Sequence, residues 1–341
     1  MNEKPESLPP VVQLSVKAAE LLGYKTRVVD SAFGFLFEVS KGKEARYFVG
    51  GVSPLNDAVA ARIAQDKFYT SMALADRGFR VPEGVRCIRA SHFTVNDFSD
   101  RSGVEPGVAF ARRVGYPVIV KPNRGALGRD VTCVGCEEEL LRAIDTVWNG
   151  DYIALVQRVV AGADIRLDFL DGSYLVGYRR SPIVIRGDGQ KTIGSLLEQL
   201  DRRFGDDAIF ARRRTEPIWE QRVISRGWSE ATVLGDGESI SFESPVLNLN
   251  RWATANLVEE LPYRWLRYCM SVAETLRLRH FGLDLRVPVC GDASGWIDVP
   301  PEQAVVIEVN ASPALVQFHD LGYADRAIEG QSRVLRAAFG Q

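Results

Sequence analysis

Three short segments of this chain alternate charged residues with large apolar ones: Asp164 to Leu170 (DIRLDFL), Phe281 to Val287 (FGLDLRV) and Val305 to Asn310 (VVIEVN). Successive side chains of a strand point to opposite faces. Asp164, Arg166 and Asp168 therefore share one face, with Ile165, Leu167 and Phe169 on the other. Asp284 and Arg286 share a face by the same rule, as do Glu308 and Asn310. Such strands need an apolar layer on one side only, and helices supply it. Ile193, Leu196, Leu197, Leu200 and Phe204 recur at helical spacing, as do Trp265, Cys269, Val272 and Leu276. The spacing also predicts a helix from about Leu55 to Ala75, opened by Ser53-Pro54, and one over Glu137–Trp148, with acidic residues where the helix dipole favours them.

Further strands are expected at Tyr116–Lys121, Val131–Val134, Tyr152–Gln157 and Tyr174–Arg180. They alternate with helices without a regular repeat, which favours an α/β or α+β enzyme. At 341 residues the chain has room for about two or three packed units. Cys87–Pro106 and the charged stretch Gly205–Thr215 read as connections between them.

The charge balance excludes some partners. Lys and Arg number 42 against 44 Asp and Glu, so no general field attracts nucleic acid or anionic lipid. Neither a signal peptide nor an apolar run of membrane-spanning length is evident, and a soluble, cytoplasmic protein without nucleic-acid or membrane partners is expected. The oligomeric state stays open, a homodimer included. Of five cysteines only Cys133 and Cys136 form a C-x-x-C pair, and the three histidines (His92, His280, His319) are remote in sequence. Free thiols are the expectation rather than a zinc site.

Chemistry concentrates in three places. In YPVIVKPNRGALGRDVT, from Tyr116 to Thr132, Lys121 ends a strand before a loop holding Gly125, Gly128 and two arginines, Arg124 and Arg129. Glycines expose backbone N–H groups, so the loop suits an anion, although it is not a Walker loop; its plainer reading is a structural turn. The charged face of Asp164, Arg166 and Asp168 is followed by Arg179 and Arg180 on the next strand, and its plainer reading is a solvated sheet face. Asp284, Glu308 and Asn310 bring carboxylate and carboxamide oxygens together, the donors a hard Mg²⁺ takes, or else Asp284 pairs with Arg286.

Together these stretches resemble the ATP-grasp superfamily, most closely the ATP-grasp portion of cyanophycin synthetases and related amino-acid ligases. The matching segments run in order from about Gly50 to His319: ARIAQDK, YPVIVKPNRGALGRDVT, VQRVVAGADIRL, YRRSPIVIRGDGQKTIGSLLEQL, FGLDLRV and VIEVNASPALVQFHD. The resemblance implies an α+β fold with an N-terminal subdomain over residues 1–87, a lid subdomain over 88–158 and a C-terminal mixed-sheet subdomain over 159–341. It implies that Lys67 and Lys121 hold the phosphates of ATP under a lid formed by Gly125–Val131, including Gly128 and Arg129. Gln157 and Val159 would meet adenine and Asp164 the ribose. Arg166 with one or both of Arg179 and Arg180, joined by Arg286, would steady the transferred phosphate. Asp284, Glu308 and Asn310 would bind magnesium.

Three departures from the family pattern stand out. Gln157 replaces the usual glutamate, Ala126-Leu127 replaces an Asn-His pair of the glycine loop, and Asn248–Asn256 has lost the glycines of the corresponding stretch. The second, Mur-ligase-like module of cyanophycin synthetases is not found after His319, and the residues before Gly50 are too few for an amidoligase half, so one ligation per site is expected. The expected activity is an ATP- and Mg²⁺-dependent carboxylate–amine ligation through an acyl phosphate. The alternative is a nucleotide-binding regulatory relative without turnover. Arg212-Arg213-Arg214 reads as a solvated basic turn, and Trp219, Trp228 and Trp252 as packing residues.

Overall fold

The computed structural model describes residues 8–90, 102–125, 128–200, 207–249, 252–289 and 293–341. The chain opens with α1 (Pro10–Leu21) and a meander of β1 (Lys25–Val28), β2 (Leu36–Lys41) and β3 (Glu44–Val49), each antiparallel to the next. Helices α2 (Ala58–Gln65) and α3 (Lys67–Asp76) follow. The single helix expected over 55–75 is thus broken, at Asp66. That residue is extended (φ −103°, ψ 102°), and its carboxylate accepts the Tyr69 N–H to cap α3.

A second sheet, in the order β4 (Gly84–Ile88), β7 (Ile153–Arg158), β5 (Val118–Pro122), β6 (Thr132–Val134), is covered by α4 (Glu105–Val114) and α5 (Glu137–Trp148). Phe110, Leu140, Ile144 and Val147 fill the space between. The expected connection from Cys87 to Pro106 is therefore shorter at both ends: Cys87 and Ile88 finish a strand, and Glu105 and Pro106 begin a helix.

The largest sheet runs β12 (Ala253–Leu257), β9 (Ser173–Pro182), β8 (Ala163–Leu170), β13 (His280–Val287), β14 (Val305–Asn310). Every pairing in it is antiparallel, where a mixed sheet was expected. Its apolar face lies on α9 (Tyr263–Leu276): Ile165, Leu167, Leu283 and Leu285 pack in one core with Trp265, Cys269, Val272 and Leu276. A one-residue slip of any of these strands would exchange that core for the charged face, so the register is strongly specified.

Between β9 and β12 the chain makes an excursion through β10 (Val184–Arg186), α6 (Ile193–Leu200), α7 (Asp207–Arg214), α8 (Pro217–Arg222) and β11 (Ser239–Ser241). The stretch expected to connect subdomains over 205–215 is thus largely helical. Arg213, expected in a solvated turn, is fully buried and donates to the Leu249 carbonyl at 3.3 Å, while Arg214 pairs with Glu230. Trp219 and Trp252 are core residues, Phe242 lying 4.1 Å from Trp252 between ring centroids, and Trp228 packs against the same cluster. The chain ends with α10 (Val316–Asp320) and α11 (Ala324–Ala338), the latter joining α1 and the first meander in one core. Cys87, Cys133, Cys136 and Cys269 are free thiols. No helix among the described residues is long and apolar enough to cross a membrane.

The start of β13 and the end of β14 are tied to the segment before α2. The Asn56 amide donates to the carbonyls of His280 and Ala311, both at 2.6 Å, and its oxygen accepts the N–H groups of Arg279 and His280. Beside it, His280 Nδ1 lies 3.2 Å from Ser53 Oγ, and burial pushes the imidazole down from 6.5 to about 4. The unfolded chain therefore binds a proton between pH 6.5 and 4 that the folded chain refuses. Stability is expected to be complete above pH 6.5 and to fall by up to roughly 3 kcal/mol toward pH 4 on this account. Urea melts at pH 7 and pH 5 of the native chain and of His280→Gln check it, since the variant should lose that part of the pH dependence.

Candidate functional site

The charged face of the largest sheet forms three rows across the strands. Arg180, Asp164 and Arg286 are cross-strand neighbours in the first, Tyr178, Arg166, Asp284 and Glu308 in the second, and Val176, Asp168, Gly282 and Asn310 in the third. The alternation read from sequence thus places Arg166, Arg180, Arg286, Asp164, Asp284, Glu308 and Asn310 around one cavity of about 310 Å³.

Ion pairs link the rows. Arg166 donates from Nε to Asp168 Oδ1 at 2.5 Å and from Nη1 to Asp284 Oδ2 at 2.7 Å. Arg180 donates to Asp164 Oδ1 at 2.8 Å and also pairs with Asp284 Oδ1. Burial pushes the Asp284 carboxyl upward, yet Arg166 and Arg180 together hold it down at about 2. Asp164 has both oxygens engaged, its Oδ2 lying 2.9 Å from Arg286. Arg286 also donates to the carbonyls of Gly162 at 3.1 Å and Pro245 at 2.9 Å. It ties the chain on either side of the cavity to the sheet rather than offering a free cation. Arg179 leaves the site: strand alternation turns it away from Arg180, and it donates to Ser181 Oγ at 2.9 Å.

Two lysines reach the same cavity from other elements. The break at Asp66 makes Lys67 the first residue of α3, and Asn123 fixes that helix end by accepting the Lys67 N–H on its carbonyl and the Phe68 N–H on its side chain. The Lys67 ammonium donates to the Gly125 carbonyl at 2.8 Å and lies 3.5 Å from Glu308. Lys121, near the end of β5, is only 5 % exposed. Burial pushes its ammonium from 10.5 down to about 8, with Lys67 adding to the effect and Glu308 and Asp284 opposing it. Two cations meet here, an arrangement that favours a bound anion. Gly125 (φ 126°) and Gly128 (φ 66°) take positive φ angles, and the loop's Arg129 also lines the cavity. Ala126 and Leu127 lie outside the described residues, as do Asn250 and Arg251 of the altered stretch.

Gln157 and Val159 line the cavity together with the apolar Ile119, Val131, Leu285 and Ile307. Gln157 is buried at 4 % exposure and pairs with Gly84, where a Cβ would come within 2.5 Å of its Cγ. Over the opposite part of the cavity, Asn248 meets Gly128 so closely that a Cβ there would lie 2.6 Å from its amide nitrogen. Tyr178 and Gln317 also line the wall, joined by a 2.7 Å hydrogen bond; neither was singled out from sequence as a site residue. Gln317 had no periodic signal at all.

Asp284, Glu308 and Asn310 form a compact oxygen-donor group, Asn310 donating to Asp284 Oδ2 at 2.9 Å. Two carboxylates and a carboxamide fit a hard divalent cation. Accepting one requires Asp284 to release part of its arginine contacts and Asn310 to turn its amide oxygen inward. Among the described residues no cluster of three His, Cys, Asp or Glu side chains is poised to hold a metal.

The fold is the α+β ATP-grasp fold, with the charged cavity on the face of its largest sheet. A bifunctional glutathione synthetase from Pasteurella multocida superimposes with a TM-score of 0.57 at 18 % identity, over 95 % of this chain and 44 % of that one. In sequence the chain is similar to cyanophycin synthetase from Trichormus variabilis, 26 % identical over 90 % of this chain and 32 % of that protein. It is also similar to the glutathione biosynthesis bifunctional protein of Listeria innocua, 22 % identical over 89 % of this chain and 38 % of that protein. The chain spans about a third of the length of these curated relatives. No protein-family model matches it.

The depressed Lys121 predicts a pH-dependent affinity for a triphosphate placed in this cavity. A bound phosphate restores the proton, so triphosphate affinity is expected to hold below pH 8 and to fall by up to about tenfold per pH unit above it. Calorimetry from pH 7.5 to 9.5 checks this, and a flat profile would rule Lys121 out as a phosphate ligand.

Proposed function

We propose that this chain is an ATP- and Mg²⁺-dependent carboxylate–amine ligase that forms an amide or peptide bond and releases ADP and phosphate. The observation that carries the reading is the meeting of Lys67 and Lys121, from two separate elements, with Asp284, Glu308 and Asn310 across one cavity. Similarity to cyanophycin synthetase over nine-tenths of the chain supports it.

In this reading Gln157 and the Val159 backbone hold adenine, the Gln157 amide oxygen accepting the base's amino N–H. Asp164 reaches the ribose with acceptor capacity left over from Arg180 and Arg286. Lys67, Lys121 and the N–H groups of the glycine loop hold the phosphates. Asp284, Glu308 and Asn310 would hold magnesium, which neutralises charge on the β- and γ-phosphates when bound.

A carboxylate oxygen attacks the γ-phosphorus, the bond to the bridging oxygen breaks, and ADP leaves with its electron pair. Arg166 and Arg180 offset the charge on the transferred group; such fixed, desolvated charges act without reorganising. The amine then attacks the acyl carbonyl, phosphate departs, and the amine proton is lost. Enclosure beneath Gly125, Gly128 and Asn248 keeps water from the acyl phosphate.

Pooled carboxylates and amino acids screened for amine-dependent ADP release test the reading directly; no ADP release with any pair would favour a binding protein, and release that ignores every amine would mark phosphoryl transfer without ligation. With the substrates in hand, Glu308→Ala is expected to abolish turnover while leaving the thermal midpoint within a few degrees. Hydroxylamine in place of the amine should trap the acyl phosphate as a hydroxamate, and Arg166→Ala should suppress that product. AMP and pyrophosphate as stoichiometric products would overturn the mechanism.

A further inference from the structure

Behind Arg166 stand two residues that the mechanism above does not use. Asp168 is 2 % exposed, and neither it nor Gly282 lines the cavity, whereas Arg166 does. The two face one another across β8 and β13, one register step from the Arg166–Asp284 pair. A Cβ at position 282 would lie 2.3 Å from Asp168 Oδ1, 2.4 Å from Arg166 Nη2 and 2.7 Å from Arg166 Cζ. Gly282 does not take the positive φ angles that call for glycine elsewhere in the chain, so what requires it is the space its missing side chain leaves.

We propose that Asp168 and Gly282 form a socket that aims the Arg166 guanidinium at the transferred phosphoryl group, making them positioning residues for the reaction. The inference rests on the ligase reading given above. A guanidinium is a planar fork of five N–H donors. Asp168 takes the donor on Nε and Asp284 one of those on Nη1, which fixes the plane at two points. The Nη2 edge then lies over Gly282, in space that a side chain at 282 would fill. Any larger residue at 282 drives the fork away from Asp168 or from Asp284. Asp168 touches no reacting atom, so it acts only through the arginine. Sub-ångström placement of such a charge weighs heavily on transition-state stabilisation and lightly on ground-state binding.

A double-mutant cycle separates this role from simple packing. Gly282→Ala and Asp168→Leu are each expected to lower kcat for ADP release by at least about tenfold, with the KM for ATP moving less than about threefold. Asp168→Asn keeps the acceptor and the volume, so it should retain more activity than Asp168→Leu and gives a second variant should the leucine not fold. Once Arg166 is alanine, adding Gly282→Ala should change kcat less than about twofold, because the group being aimed is gone. The same cycle is run by calorimetry with ADP and the non-hydrolysable β,γ-imido analogue of ATP. Gly282→Ala should weaken the preference for the triphosphate when Arg166 is present and leave it unchanged when Arg166 is absent. That second arm needs no carboxylate or amine, so a chain that ligates nothing still reports on the socket. Multiplicative losses in the Arg166→Ala background, or a lowered thermal midpoint with kcat and triphosphate preference unchanged, would overturn the proposal.

Discussion

Asp284 is the anion on which the charged face depends. It lies opposite Arg166 and Glu308 in the sheet, receives Arg166 and Arg180 on its two oxygens, and accepts a further hydrogen bond from Asn310. Buried arginines are tolerable only when their donors are matched, and Asp284, shared by Arg166 and Arg180, completes a balanced set with Asp168 on Arg166 and Asp164 on Arg180 and Arg286. With the arginines so balanced, the positive charge that suits the site to an anion is that of Lys67 and Lys121, which Glu308 offsets only in part. Removing Asp284 would release both arginines at once, so it couples the structural and chemical demands on the sheet.

The lysines depend on a different device, the interruption at Asp66. A continuous helix through this segment would carry Lys67 along its flank. With the helix restarted there, the lysine occupies the first position of α3, anchored to Asn123 and pressed toward Glu308. The depressed ammonium of Lys121 is chiefly the cost of burying it, to which the nearby Lys67 adds, roughly 3 kcal/mol from its shift to about 8. A phosphate bound against it would return part of that energy.

Much of this was legible in the sequence because strand alternation obeys a short rule. The period of two in DIRLDFL, FGLDLRV and VVIEVN puts six of the cavity-lining residues on one face of the sheet. The same rule, applied to Arg179 and Arg180, should have separated them, since neighbours in a strand cannot share a face. The break at Asp66 was hidden because Ala58–Asp76 is apolar and helix-forming on both sides of it, and a capping aspartate inside such a run looks like a surface residue. Gln317 and the closure of Asn248 over Gly128 arise from segments distant in sequence, which no local pattern reports. The basic run at 212–214 misled for another reason: charge suggested solvent, but Arg213 is fully buried and donates to the Leu249 carbonyl beside a small apolar core formed by Trp219, Phe242 and Trp252 among others.

That small core has a consequence for how such a protein can diversify. Ile183, Ile185, Leu197, Trp219, Phe242 and Trp252 pack chiefly on one another, so the excursion between β9 and β12 carries its own reason to fold. Its exit, Pro245 to Leu249, nevertheless forms part of the cavity wall. Lengthening or rewriting the excursion leaves the strand registers and the ion pairs of the sheet untouched, while a single insertion within β8 or β13 would invert a whole face. Heritable change is thereby channelled into one stretch of the cavity wall, the stretch that meets the glycine loop at Gly128, while the charged rows of the sheet keep their register.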